Sequence, residues 1–374
     1  MRYTQCTKIV TKVSANDIGG FSGETYYLDS SSYVWAAKVS GLPTKYSPAQ
    51  QFAKFIHQSK NLLDTSSYAW ILPSVTAGSS AISVQGGIQW LSIKGNPNSL
   101  TCVGLNASSY LWTWGANYQG GLGNGTVTSS LSSPVSVIGN RQFINFITSG
   151  STTYALDRSS YLWAWGKNSG ESSFPGGQLG DGTIINKSSP VSVIGNRQFI
   201  DLAVGIELDN NPTTSDMAYI VALDSSSYAW SWGVNWMGSL GDGTTTYRSS
   251  PVSVLSDRWK KLWGTGSSVY GEKENGDIYT WGINQYSNFG SDKYATVTAM
   301  SIPVIVNFPF KFIKLCSAGS DGVPQQNNRV AVCALTKNSE VWVWGNGTYL
   351  GDGFFVNAAN PTRPKLNVEY TNLF

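Results

Sequence analysis

Short apolar runs alternate with turn-forming residues along the whole chain, and the clearest unit spans residues 219–254. It opens with an apolar run at 219–223 and a turn at 224–227, followed by Tyr-Ala-Trp-Ser-Trp at 228–232. Large side chains at alternate positions are typical of a half-buried β-strand, and Gly233 ends this one. The segment Ser-Ser-Pro-Val-Ser-Val at 249–254 predicts a further strand.

The same unit occurs seven times. The copies are centred near Trp35, Trp70, Trp112, Trp163, Trp230, Tyr279 and Trp342, and the first two lack the second Trp and the Gly. Another apolar run precedes each copy, most clearly at 143–147, 199–204, 259–263 and 312–316. Seven units in 374 residues average about 53 residues, a period that is typical of propellers and solenoids.

Three or four short strands per unit is the content of one propeller blade. Because the repeats run from end to end and a closed ring lets the first and last units cover each other, we expect one all-β domain over residues 1–374, a seven-bladed β-propeller. Residues 47–56 also fit an amphipathic helix with Pro48 in its first turn, but the repeat favours a strand. The run at 9–13 is expected near the seam, where it can pair with the last repeat in several registers.

Composition excludes several kinds of site. Charged residues make up 13% of the chain, and the 25 basic and 22 acidic residues form no long run of one sign, so we expect no nucleic-acid partner. His57 is the only histidine, and the four cysteines show no Cys-x-x-Cys spacing. The sequence therefore predicts no metal site, no cofactor and no catalytic Ser-His-Asp relay, and we expect that the protein is not an enzyme.

Two cysteines, Cys316 and Cys333, lie on consecutive predicted strands. They can pair as a disulfide or remain as buried thiols in a β core. Buried thiols are the commoner outcome for such residues, but the sequence leaves both possibilities open.

Glycine-rich loops follow several of the Trp-x-Trp strands, as at 120–125, 238–243 and 350–353. A phosphate-binding loop needs a strand-to-helix context and usually a Lys, and neither is present. We interpret the glycines as residues that adopt positive φ in tight turns. Asp181, Asp242 and Asp352 belong to three different repeats, which favours a turn-forming role over a shared calcium site.

Residues 222–244 carry the pattern A-L-D-x-x-x-Y-x-W-x-W-G-x-N-x-x-G-x-L-G-D-G-T. This pattern resembles the repeat of the regulator-of-chromosome-condensation (RCC1-like) family, and the resemblance covers essentially the whole chain, most strongly in repeats three to five. It implies a seven-bladed β-propeller. The best-known member of the family exchanges guanine nucleotide on a small GTPase. This chain has Thr-Tyr-Ala-Leu at 153–156 and Ile-Val-Ala-Leu at 220–223, without the histidine usual before Ala-Leu, so the exchange activity is not carried over.

Binding residues are expected in the loops, since propeller strands form the scaffold. Insertions at 205–216 and 319–328 fall at the same point of repeats five and seven and should project from one face. Trp236, with Tyr118 and Tyr286 in comparable loops, is a candidate aromatic platform for a protein or a sugar. Local packing of these rings is the alternative.

The surface is poor in charge and rich in Ser, Thr, Asn, Tyr and Trp, as in proteins that act outside cells. The opening residues lack the features of a signal peptide, and no apolar run is long enough to span a bilayer. This combination favours a structural or adhesive binding protein of a tailed bacteriophage virion, extracellular after lysis, whose partners are virion or host-surface proteins or a glycan. The alternative is a cytoplasmic interaction hub, a GTPase regulator or a propeller-type protein inhibitor.

Overall fold

A computed structural model of the chain defines eight strands by their backbone between residues 13 and 83. It then describes residues 87–95, 101–127, 130–149, 151–170, 175–206, 218–255, 258–265, 268–318, 331–336, 340–345 and 358–362. No helix among these residues is long and apolar enough to cross a membrane. Apart from two 3-10 turns at Tyr118–Gly120 and Asp292–Tyr294, the regular elements are strands.

The strands form seven antiparallel sheets of four, each from consecutive strands. The first two sheets contain β1 (Val13–Phe21), β2 (Glu24–Asp29), β3 (Val34–Lys38) and β4 (Thr44–Lys45), and then β5 (Phe52–Phe55), β6 (Asn61–Asp64), β7 (Ala69–Ile71) and β8 (Ile82–Ser83). The third and fourth contain β9 (Trp90–Gly95), β10 (Thr101–Asn106), β11 (Leu111–Gly115) and β12 (Leu131–Ser136), and then β13 (Phe143–Ser149), β14 (Thr152–Asp157), β15 (Leu162–Gly166) and β16 (Lys187–Ser192).

The fifth and sixth sheets contain β17 (Phe199–Ile206), β18 (Ala218–Asp224), β19 (Ala229–Gly233) and β20 (Arg248–Ser253), and then β21 (Lys261–Thr265), β22 (Ser268–Glu272), β23 (Ile278–Ile283) and β24 (Ala299–Val306). The seventh contains β25 (Phe312–Ala318), β26 (Ala331–Thr336), β27 (Val341–Gly345) and β28 (Ala358–Thr362). The seven sheets correspond in number and order to the seven sequence repeats, and the predicted all-β propeller fold is confirmed.

Two expectations near the N-terminus are decided by these strands. Residues 52–55 form β5, so the strand interpretation of residues 47–56 is confirmed where they are described. The first strand begins at Val13, where the predicted run at 9–13 ends, and residues 9–12 lie outside the described residues. Because β1 pairs with β2 of its own sheet and β25–β28 form a complete blade, the described strands do not exchange between the two ends of the chain.

Because neighbouring strands of a blade run in opposite directions, every blade has two distinct ends. The connections from first to second and from third to fourth strand lie at one end, which we name the loop end. The turns from second to third strand and the links to the next blade lie at the other, the turn end. The first strands of successive blades neighbour one another, as β13 does β17 and β17 does β21, so these strands line the axis.

In blades four to seven the Trp that precedes the Gly of the motif lies between two blades, and in blade six Tyr279 replaces the first Trp. Trp165, Trp232, Trp281 and Trp344 are fully buried, whereas the first Trp of each motif is half-buried. Each buried indole donates its N–H to a loop carbonyl of the preceding blade, at Gly121 (3.2 Å), Gln178 (3.0 Å), Ser239 (3.0 Å) and Asn288 (2.8 Å). The prediction that these rings pack between adjacent sheets is confirmed.

The glycine-rich loop of one blade closes over the indole of the next. Gly180 has a φ of +69°, and a Cβ added there would lie 2.5 Å from Nε1 of Trp232. The loop is also bonded to the outer strand of that next blade, since the Gly182 N–H donates to the Ser249 carbonyl at 2.9 Å. Within its own blade, Asn168 accepts from the N–H of the buried Leu179 at 2.9 Å, and the same bond recurs in blades three, five and six. The loop is therefore a wedge between blades.

The first Trp of the motif is held differently, by the acidic residue that starts the preceding turn. Trp230 donates its indole N–H to Asp224 Oδ2 at 2.8 Å, and Trp163 does the same to Asp157 at 2.9 Å. Blade three has Asn106 at this position, and the indole N–H of Trp112 finds no acceptor among the described residues.

Around the axis, Lys94 on β9 donates to the carbonyl of Phe146 on the next blade. Burial lowers the pKa of the Lys94 ammonium to about 8. On β17, burial raises the pKa of Asp201, although the N–H of Leu202 donates to its carboxylate at 3.0 Å. Both groups are half-buried, and Lys94 joins two blades at a cost in desolvation.

Gly180→Ala should lower the free energy of unfolding by about 1–3 kcal/mol more than Gly139→Ala. Both positions have positive φ, +69° and +99°, but a Cβ at Gly139 meets nothing within 4 Å. The comparison therefore separates collision with Trp232 from backbone strain. Urea unfolding measures both, and equal losses would contradict the wedge.

Asn106→Asp should raise the free energy of unfolding by about 1 kcal/mol, because a carboxylate oxygen can accept the unpaired Trp112 N–H. Asp224→Asn removes the same bond in blade five and should lower stability by a similar amount. Thermal unfolding at neutral pH tests the pair. A stabilising Asp224→Asn would show that this indole bond is not favourable.

Lys94→Met should raise stability at pH 7 by up to about 3 kcal/mol, since the parent folds with a charged group that burial disfavours. The folded pKa of about 8 lies below the unfolded value of 10.5. Between these two pH values the unfolded chain therefore binds one more proton than the folded chain does. The free energy of unfolding of the parent accordingly rises as the pH increases through this range. The advantage of the variant should shrink as pH rises from 8 to 10 in urea titrations; a constant difference would contradict this assignment.

Candidate binding surfaces

The predicted aromatic residues lie at the loop end. Tyr118 and Trp236 occupy the equivalent position of blades three and five and are 65% and 40% exposed. Tyr286 of blade six is half-buried and lies one residue later in its loop, and blade four, between the first two, has Ser169 at the position. The structure thus puts the three residues on one end, and the platform stays a prediction.

The other loop-end features are local. Both insertions, predicted at 205–216 and 319–328, connect first to second strands, and most of their residues lie outside the described ones.

Arg248 and Asp242 form an ion pair of 2.9 Å. Burial acts to raise the pKa of Asp242, but hydrogen bonds from Thr244 and Arg248 outweigh it and the pKa is lowered. The carboxylate is thus engaged within its own turn, as predicted for Asp181 and Asp242, while Asp352 lies outside the described residues.

Aliphatic side chains are exposed at the turn end, where each first strand begins. The second residue of the strand is bulged out of the pairing register, as between Phe143 and Asn145. The residues at this position are Leu91, Ile144, Ile200 and Ile313, between 43% and 55% exposed, and in blade six the exposed Lys260, just before β21, takes the corresponding place in the sequence. The aromatic residue before the bulge is buried, and its N–H is bonded to the turn of the preceding blade, as Phe199 is to Ser160 at 2.8 Å. The exposed residues are therefore held on a fixed backbone.

Basic side chains accompany these aliphatic residues. In the described part of this end, the exposed basic residues are Arg158, Arg258, Lys260, Lys311 and Lys314, and the exposed carboxylate is Glu274. Lys260 is ion-paired with the half-buried Glu272 at 2.9 Å. Two further guanidinium groups stack on half-buried indoles, Arg141 at 3.3 Å from the Trp163 ring centre and Arg197 at 3.5 Å from that of Trp230. Stacking of this kind restricts a side chain while leaving edge N–H groups able to bind carboxylates, and Arg141 already lies 3.6 Å from the Asp157 carboxylate.

We name the exposed aliphatic residues at the bulge, together with these basic residues, the turn-end surface. Sequence reasoning missed it, because Ile144 and Ile200 belong to apolar runs that predict buried strands. One signal was available: Gly-Asn-Arg-Gln-Phe recurs at 139–143 and 195–199 and places an Arg at the same point of two adjacent blades.

No group of three or more His, Cys, Asp or Glu side chains among the described residues is arranged to hold a metal ion. Buried hydroxyls such as that of Tyr154 donate to backbone carbonyls, in its case Gln178 at 2.7 Å. Burial raises the pKa of Tyr154 further above its usual range, so the group remains a neutral donor.

No family model matches the chain. Among curated proteins it is similar to the mitochondrial RCC1 domain-containing protein RUG3 of Arabidopsis thaliana, at 24% identity over 253 residues, which is 66% of this chain and 52% of that protein. It is also 24% identical over 273 residues to the human E3 ubiquitin-protein ligase HERC2, covering 71% of this chain and 5% of the ligase. The chain thus spans about half the length of one of these relatives and a small part of the other.

Two solved structures have the same fold. Human WBSCR16 superposes with a TM-score of 0.62 at 14% identity, covering 96% of this chain and 83% of that one. Prp20p of Saccharomyces cerevisiae superposes with a TM-score of 0.62 at 18% identity, covering 94% and 76%. With seven four-stranded blades and the recurring Trp-x-Trp-Gly motif, the chain is a seven-bladed β-propeller built from RCC1-like repeats.

Proposed function

We propose that the protein is a non-enzymatic binding scaffold that engages an acidic protein surface through its turn end. The observation that carries this proposal is the turn-end surface, where five exposed basic residues accompany one exposed carboxylate and aliphatic side chains lie at the repeated bulge. Charge of one sign steers an oppositely charged partner and selects it, while apolar contacts at the centre of an interface exclude water.

The mixture of side chains favours a protein over a nucleic acid. A duplex presents phosphates and sugars to a binding surface, and half-exposed residues such as Ile144 and Ile200 gain little against them. A protein segment with both carboxylates and apolar residues satisfies the two kinds of group at once. The stacked Arg141 and Arg197 lose little further freedom when they bind a carboxylate, which reduces the entropic cost of association.

Propellers of similar fold bind proteins. The structure of Prp20p is described together with its binding to Gsp1p and histones, and another structure holds Kap60 bound to yeast RCC1 (Prp20). These similarities support a protein-interaction role for this chain. A GTPase-regulator role is a second candidate, and its signature is faster release of nucleotide from a small GTPase on addition of this protein.

The narrower hypothesis of a tailed-phage virion component rests on the weakly charged, aromatic-rich composition. It remains a prediction, as does the accompanying location outside the cell after lysis. Mass spectrometry of purified particles from the source culture tests it. Absence of the protein from the particles, with its presence in the host's soluble fraction, would contradict it.

The binding proposal is tested with fluorescein-labelled peptides by fluorescence anisotropy. A peptide of repeated Glu-Glu-Leu units should bind, and its Gln-Gln-Leu counterpart should not. Arg158→Glu, Arg258→Glu and Lys314→Glu combined should weaken binding roughly tenfold or more and reduce its salt dependence, because the reversed charges repel the carboxylates. Thermal unfolding of the triple variant should match the parent, since all three side chains are exposed.

Two loop-end variants are the matched controls. Lys293→Glu makes the same charge reversal at an exposed site on the opposite end, and Trp236→Ala removes the predicted platform. Neither should change the anisotropy. Loss of binding in Trp236→Ala but not in the triple variant would move the interface to the loop end. Tighter binding of a 20-base-pair DNA duplex than of the acidic peptide would overturn the choice of a protein partner.

A further inference from the structure

The first two strands of the last blade bring two cysteines into register. Cys316 on β25 lies directly opposite Cys333 on β26, within an unbroken run of pairs from Lys314 with Leu335 to Ala318 with Ala331. Residues directly opposite on antiparallel strands have Cα atoms about 4.5–5.5 Å apart and belong to the same face of the sheet. Disulfides span Cα distances of about 4.4–6.8 Å, so these backbone positions can accept one without displacement of a strand.

The equivalent pair in each well-described blade is formed by other residues. Counting four residues on from the aromatic residue before the bulge, the pairs are Lys94 with Val103, Ile147 with Tyr154, Ala203 with Val221, and Trp263 with Tyr270. The second-strand members, Val103, Tyr154, Val221 and Tyr270, are fully buried. Among these blades and the seventh, cysteine occupies both positions of the pair only in the seventh.

This position belongs to the contact between successive blades. Ala203 and Val221 pack in one cluster with Trp259 and Leu262 of blade six. Trp263 and Tyr270 likewise pack with Phe312 of blade seven. In a ring, the blade that follows the seventh is the first, so the cysteine pair occupies the position of the closing interface. The described strands of the two chain ends share no sheet there, and a covalent bond within blade seven restricts the strand pair next to this seam.

We propose that Cys316 and Cys333 are an oxidation site that forms an intrachain disulfide across β25 and β26. One thiolate attacks a small-molecule disulfide such as oxidised glutathione, which gives a mixed disulfide and releases one small thiol. The second cysteine thiolate then attacks the protein sulfur of that mixed disulfide and releases the other small thiol. Overall the two cysteines lose two protons and two electrons, and the small-molecule disulfide is reduced to two thiols.

The test uses the full chain, reduced and then equilibrated with oxidised or reduced glutathione. Maleimide alkylation of the protein unfolded in denaturant, followed by mass spectrometry, should count two fewer reactive thiols after oxidation, from the four cysteines in the chain. Trypsin cleaves after Lys314, Arg329 and Lys337, so the two cysteines fall on separate peptides, 315–329 and 330–337. These peptides should be found linked without reductant and separate with it. Oxidation should raise the Tm by a few degrees, because the bond closes a short loop in the unfolded chain.

Matched variants make the result decisive. The double variant Cys316→Ala with Cys333→Val copies the pair of blade five, Ala203 with Val221. It should fold and show no oxidation-dependent change in Tm or thiol count at these positions. Cys102→Ser should keep the full response. Four reactive thiols after oxidation, or a linkage through Cys6 or Cys102 in place of the peptides 315–329 and 330–337, would overturn the proposal.

Discussion

Burial of one indole in each of blades four to seven against the glycine loop of the preceding blade is the interaction on which the rest of the fold depends. Trp232 illustrates it: the ring is fully buried, its N–H is bonded to the Gln178 carbonyl, and Gly180 leaves the space that the ring edge occupies. A single four-stranded sheet offers no partner for such a ring on its own. The indole becomes buried only when the preceding blade is present, so the blades stabilise one another in sequence around the axis.

Much of this architecture is predictable from the sequence, because its signals are local. Alternating large residues at 228–232 predict a strand, and recurrence of the motif predicts the blade count. The role of Gly180 was only half predictable. Its positive φ follows from a turn, but the need for a missing Cβ arises from Trp232, 52 residues later in the chain and in another blade. The sequence of one repeat does not show which of its residues contact another repeat.

The residues of the candidate surfaces differ in how well the sequence predicts their exposure. Tyr118 and Trp236 were identifiable because they interrupt loops of small residues, and both are exposed. Ile144 was not identifiable, since an apolar residue after Phe143 in an apolar run predicts burial. The bulge at that point removes Ile144 from the alternation and turns it to solvent. Register irregularities depend on pairing with the neighbouring strand, and the pattern of one strand does not specify them.

The bulge also explains how stability and recognition are separated in this ring. In blade five the buried Phe199 starts the first strand, and in blade six the buried Trp259 lies just before it. The N–H of each bonds to the turn of the preceding blade, at 2.8 Å in both cases. The next residue is Ile200 in one blade and Lys260 in the other, and both are exposed. Because the anchoring residue and the exposed residue are different, the chemistry of the turn end can change from aliphatic to basic between blades without altering how the blades pack. The turn-end surface can thus present charged and apolar residues in a fixed order around the axis. The scaffold sets that order, and its stability comes from the buried indoles.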